Sequence, residues 1–232
     1  MKIQFRSSAS STPGPKRLRG VQRIRAGLRR LKHSDSGVAV IEFVVIAPMM
    51  LFILLGFSEM YLYMRAVSTV ERTAFGLANM LGQVPNLINN NGTASAFDLG
   101  TFWNASVLIA APLDMTTQGG IVLTSVCDSS TSCKAGMSTV GTVRGTPSIG
   151  WQQSAPWMQA SMTTRETNGG LLPAVWPFYK GDSVLIVEVF YKFTPFAMTS
   201  VFWANAPGTK TIYERVYVRP RSGNPINLAA AQ

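Results

Sequence analysis

The run Val38–Phe57, VAVIEFVVIAPMMLFILLGF, constrains this chain more than any other stretch. It holds 20 residues and one ionisable group, Glu42. At about 1.5 Å per residue, a helix of this length covers roughly 30 Å, the thickness of a bilayer hydrocarbon core. It is too long and too far from the N-terminus for an ordinary secretory signal core. A carboxylate at membrane depth costs about 2.5–3.5 kcal/mol even on the lenient insertion scales. Glu42 is therefore read as a functional group. Pro48 lacks a backbone N–H, which frees the Val44 carbonyl and favours a helix kink.

The charge distribution orients this segment. The chain of 232 residues carries a net charge of +10. Residues 1–36 contain ten Lys or Arg and one acid, Asp35, for +9, while residues 37–232 contain eleven basic and ten acidic groups, for +1. A basic tail abutting an apolar run follows the positive-inside rule, with the tail in the cytoplasm and the C-terminal portion across the membrane. Anionic headgroups would help to hold the tail at the surface. No nucleic-acid partner is expected, because topology already explains the charge.

Periodicity divides the rest. Residues 7–15, SSASSTPGP, have a disordered composition. Residues 16–33 carry Leu18, Val21, Ile24, Leu28 and Leu31 at helical steps, a short basic amphipathic pattern. Ser34, Asp35 and Ser36 offer N-caps to the apolar run. Beyond it, Leu62, Ala66, Val70, Ala74, Leu77 and Leu81 form one stripe, with Arg65, Ser68, Thr69, Arg72, Asn79 and Gln83 opposite. One helix over about 38–83 is predicted, ended by Gly82 and Pro85. Residues 86–96 read as a loop, and Phe97–Ala111 as a second helix stopped by Pro112. Strands are expected over Ile121–Val126, Ser148–Gln153, Ser183–Phe193 and Thr211–Arg219. In the third, Leu185, Val187, Val189, Tyr191 and Phe193 share one face, with Glu188 and Lys192 on the other. Val216 and Val218 oppose Arg215, Tyr217 and Arg219 in the fourth.

The expected fold class is α+β: a long N-terminal helix, with a transmembrane half and an amphipathic half, packed on a small antiparallel β-sheet. The organisation is a basic cytoplasmic leader (1–37), a transmembrane helix (38–60), an amphipathic extension (61–83) and an extracytoplasmic α+β domain (84–232).

Cys127 and Cys133 lie beyond the membrane run, in an oxidising compartment on this topology. Five intervening residues can close a small disulfide loop. Two cysteines and His33, on the other side of the membrane, do not make a zinc site. Trp103, Trp151, Trp157, Trp176 and Trp203 are expected in core packing rather than in a glycan- or surface-binding patch. Glu59, just past the run, is expected as an interfacial charge in water. Asp98, Asp114, Asp128, Glu166 and Asp182 are scattered on loops without paired spacing. No phosphate loop, nucleophile elbow or metal-spaced cluster occurs, so neither an enzyme activity nor a cofactor or metal is expected.

The string Ser36-Gly37-Val38-Ala39-Val40-Ile41-Glu42-Phe43 lies between the basic tail and the apolar run. It resembles the N-terminus of type IV-like prepilins, and more closely the TadE-type pseudopilins of tight-adherence (Tad/Flp) pili, a likeness shared with TadG-type chains. The wider stretch GVAVIEFVVIAPMMLFILLGFSEM, and the C-terminal pieces VLIVEVFYKFTPF and ERVYVRPR, carry the same resemblance. It implies a pilin-like fold and cleavage between Gly37 and Val38 by a prepilin peptidase. It also implies that Glu42, followed by Phe43, pairs with the new Val38 amine of a neighbouring subunit and sets helix register. The implied partners are the bacterial inner membrane, the peptidase, other pilins or pseudopilins and the Tad secretion machinery, with a role in pilus assembly and adhesion. The alternative is an uncleaved single-pass scaffold or binding ectodomain of a secretion or adhesion machine.

Overall fold

A computed structural model describes residues 35–131, 133, 142–166, 170–196 and 208–231. Most of the basic leader, the amphipathic pattern of residues 16–33, His33 and Trp203 lie outside them. The chain divides into two compact units between Phe57 and Ser58. One helix, α1 (Asp35–Leu81), runs through this division and through Pro48. Asp35 and Ser36 lie within it rather than capping it. Among the described residues it is the one helix long and apolar enough to cross a membrane.

In the C-terminal unit, the later turns of α1 bury Ala66, Val70, Ala74, Leu77, Ala78 and Leu81. The alanines allow close approach, and the leucines fill the space to the sheet. Burying a leucine of this kind contributes about 1.5–3 kcal/mol. The buried stripe differs from the expected one at two places. Leu62 is exposed, and Thr69 is buried on the core side, where its carbonyl accepts the Thr73 hydroxyl at 2.8 Å. Satisfying the hydroxyl locally removes the cost of burying it.

After α1 come β1 (Asn86–Asn89), α2 (Leu99–Ala110), the single turn α3 (Met115–Gln118), β2 (Gly119–Asp128), β3 (Pro147–Ser154), β4 (Ser183–Phe193), β5 (Lys210–Val218) and β6 (Asn227–Ala230). The main sheet is antiparallel with order β3-β2-β4-β5. Strands β1 and β6 form a separate parallel pair, with Asn86 opposite Asn227 and Asn89 opposite Ala230, and β1 lies in what reads locally as loop. The pair ties the C-terminal segment back to the end of α1.

One face of the main sheet carries Ile121, Leu123, Leu185, Val187, Val189, Ile212 and Val216, in a single core with the later turns of α1 and with Phe102 and Trp103 of α2. The alternation predicted for β4 and β5 is present in their pairing. The other face departs from expectation. Sequence alternation turned Glu188 outward, yet it is fully buried. The described residues of 155–166 and 170–182, which carry little regular structure, cover that face with Met162, Leu171 and Phe178 against Val122, Val126, Ile186 and Phe190. A sheet covered on both sides buries all ten residues of β2.

Candidate functional site: an apolar helix with one acid, and the acids of the C-terminal unit

In the N-terminal unit, α1 is apolar on every side and its side chains are exposed. Fourteen large apolar residues from Val40 to Phe57 are at least 39% exposed. At roughly 1.5 kcal/mol or more for each such side chain withdrawn from water, their cover is worth on the order of 20 kcal/mol. That exceeds the stability of a typical domain, about 5–15 kcal/mol. This surface therefore requires lipid or other apolar helices around it.

Glu42 is exposed within this surface and has no hydrogen-bond or ion-pair partner among the described residues. Phe43 beside it is 70% exposed. Val38 and Glu42 stand one turn apart on α1, about 6 Å along its axis. The Gly37–Val38 bond lies in the first turn of the helix, where the leading N–H groups lack intrahelical partners and the backbone frays most readily.

The C-terminal unit treats its acids in the opposite way. Glu59 is half-buried rather than an interfacial charge in water alone: its Oε1 accepts the Phe196 N–H at 2.8 Å. Phe196 has a φ of 57°, a left-handed conformation that costs about 1–2 kcal/mol for a residue with a side chain, and the charge-assisted bond offsets part of that cost.

Glu188 is the hub of the covered face. Its carboxylate accepts from the Thr164 hydroxyl, from Arg165 N at 3.0 Å and from the Tyr213 hydroxyl at 2.9 Å. Gln152 extends the network by donating to Thr164 Oγ1 at 3.4 Å and to Thr124 Oγ1 at 2.8 Å. The Arg165 guanidinium lies 4.0 Å over the Tyr213 ring. Burial, reinforced by the bond to Glu188, pushes the Tyr213 phenol well above its usual range.

Glu166, also buried, pairs through Oε1 with Arg215, while its Oε2 has no hydrogen-bond partner among the described residues. Burial raises its carboxyl pKa, and Arg215 only partly counteracts this. Asp128 is the reverse case. Burial favours its protonation, but donors from Ser130, Thr146 and Gly181 together outweigh burial and lower the pKa. Thr146 N and Gly181 N both donate to it at 3.0 Å. Asp182 pairs with Arg219 at 2.7 Å. Asp98 accepts from Ser95 N at 2.8 Å, and Asp114 caps α3 through Thr117 N at 3.3 Å.

Glu188 and Asp128, both on strands, thus pin irregular backbone to the sheet. Sequence spacing does not reveal this, because donors such as Arg165 N, the Tyr213 hydroxyl and Gly181 N lie far along the chain. Among the described residues no group of three His, Cys, Asp or Glu could hold a metal. Cys127 and Cys133 form a disulfide. Of the tryptophans, Trp103 is buried, and Trp151 and Trp157 pack against the main core. Trp176 packs on the other face, its ring centroid 5.6 Å from that of Tyr217. No family model, curated protein or solved structure matches this chain.

Proposed function

We propose that this chain is a TadE-like minor pseudopilin, a structural component that takes part in assembling a tight-adherence-type pilus. It spans the bacterial inner membrane once, with its N-terminus in the cytoplasm and the C-terminal unit outside. A prepilin peptidase cuts between Gly37 and Val38, and the mature chain packs its apolar helix against other pilins or pseudopilins.

The observation that carries the proposal is the unpartnered Glu42 on a helix whose apolar surface is uncovered. A lone carboxylate in hydrocarbon is stabilised by an opposite charge. Cleavage would create one, the Val38 amine, one turn away along the helix. Because a chain's own amine and Glu42 are fixed to the same turn, pairing with a neighbouring subunit's amine would set the axial stagger between subunits. In this role Phe43 packs against the neighbouring helix beside the charge pair.

Replacing Glu42 with Ala is expected to leave cleavage intact and to lower recovery of the chain in sheared pilus fractions or in complexes with its partner pilins. Wild-type recovery of the Glu42→Ala chain would overturn the registry role. The second reading, an uncleaved scaffold, draws on the helical state of the Gly37–Val38 bond and on the acidic Ser34-Asp35-Ser36 stretch before it. It predicts that the assembled chain keeps residues 1–37.

A further inference from the structure

A cavity of about 530 Å³ opens at the disulfide end of β2 and β3, within the size range of small-molecule sites. Its wall combines the disulfide, Ser125, Gly150, Trp151 and the segment Asn224–Asn227. Among the described residues, no charged side chain lines it. We propose that this cavity binds a neutral saccharide, with Trp151 as the stacking surface and Ser125, Asn224 and Asn227 as the hydroxyl-recognising groups.

Four observations carry this. First, the Trp151 indole is held in place: its N–H donates to the Ile226 carbonyl at 2.7 Å. The ring is half-buried and contributes to the cavity wall. Second, Ser125 is 3% exposed, yet its hydroxyl makes no hydrogen bond among the described residues. Ser125 contributes to the cavity wall, so a ligand hydroxyl that pairs with it gains specificity. Third, the side-chain amides of Asn224 and Asn227 make no hydrogen bond among the described residues either. Each offers one acceptor and two donor hydrogens.

Fourth, the floor is rigid and free of a side chain. Ser125 pairs with Trp151 and Val126 with Ile149, so Gly150 is the extra residue of a β-bulge. A Cβ at Gly150 would lie 3.0 Å from Cys127 Sγ and 3.4 Å from Cys133 Sγ. The disulfide packs against this bare backbone and fixes the end of β2.

The chemistry selects the ligand class. A pyranose presents C–H groups that lie against an aromatic face, and hydroxyls that exchange hydrogen bonds with amides and hydroxyls. A phosphate or carboxylate ligand would find no cation among the described residues of the wall. A purely apolar ligand would leave Ser125 and both amides unpaired. The site is independent of the pilus reading and stands whether or not the leader is cleaved.

The test is ligand-observed saturation-transfer NMR on the full chain in a polyoxyethylene detergent, since sugar-headed detergents would compete. Methyl β-D-glucopyranoside and N-acetyl-D-glucosamine serve as neutral probes, with glucose 6-phosphate and tri-alanine as the charged and peptide controls. Saturable transfer to at least one neutral sugar is expected. Ser125→Ala, and separately Asn224→Ala with Asn227→Ala, should each weaken it at least about fivefold, the value of one or two hydrogen bonds. Both asparagines are exposed and Ser125→Ala is nearly isosteric, so the thermal melting midpoint should not move. Absence of saturable transfer to either neutral sugar, equal binding by the variants, or preference for either control would overturn the proposal.

Discussion

The two units hold their acids in opposite ways. Glu42 in the N-terminal unit is exposed on an apolar helix and, among the described residues, has no partner. Glu188 in the C-terminal unit is fully buried and accepts three hydrogen bonds. The C-terminal unit holds Glu59, Asp128, Asp182 and Glu188 by internal donors and uses Asp128 and Glu188 to bind irregular chain to a sheet. The N-terminal unit leaves both its apolar surface and its acid to be satisfied from outside. The difference teaches that one carboxylate belongs to the fold, while the other, in the proposed role, belongs to association.

Substitutions of these two residues sharpen the contrast most. Glu188→Ala removes the acceptor for the Thr164 hydroxyl, the Arg165 N–H and the Tyr213 hydroxyl, and should destabilise the C-terminal unit by roughly 3–5 kcal/mol. Denaturant unfolding of the full chain in detergent, followed by near-ultraviolet circular dichroism, measures it. A loss below about 1 kcal/mol would remove Glu188 as the hub of the covered face.

The disulfide comes next. Cys127→Ser with Cys133→Ser opens a short loop, and the chain-entropy model gives a cost of about 2 kcal/mol. The same unfolding measurement, with and without reductant, checks it: reductant should destabilise the wild-type chain and leave the double variant unchanged.

The pH profile of that unit should have two slopes. Asp128 has a pKa lowered from its ordinary 3.8, so its contribution is present above that value and fades as pH falls through the lower folded-state pKa. Glu166 has a pKa raised from 4.5, so its contribution is present below that value and fades as pH rises through the higher folded-state pKa. Asp128→Asn should flatten the acid side of the stability curve, and Glu166→Gln the side above pH 4.5. Unchanged slopes in either variant would contradict the assignment.

The smallest expected stability change is that of Glu42→Ala, within about 0.5 kcal/mol, as for surface substitutions away from structural features. In the proposed role its effect belongs to association. If the variant instead unfolded the C-terminal unit, the contrast between the two acids would fail.

The legible parts of this fold are those in which one residue pattern repeats. The stripe from Ala66 to Leu81 and the alternation of Leu185, Val187 and Val189 each state which face is buried, because burial follows the helix and strand periods. The β1–β6 pair was not legible: Asn86–Asn89 is only four residues long, and its partner comes from the far end of the chain. Glu188 was placed outward for a related reason. Alternation marks a polar position, but what covers it is the segment 155–182, whose prolines and glycines read as a connection between strands. The run around Glu42 stood out because its signal is composition alone. The Thr146 and Gly181 donors of Asp128 and the Arg215 partner of Glu166 are set by tertiary approach and leave no trace in spacing.

The central claim is that the partner of Glu42 is an amine made by proteolysis. N-terminal sequencing of the membrane-inserted chain, produced with a prepilin peptidase present, tests it most directly. The account predicts a mature chain that begins at Val38, one turn before Glu42. A chain that still begins at Met1 under those conditions would contradict it.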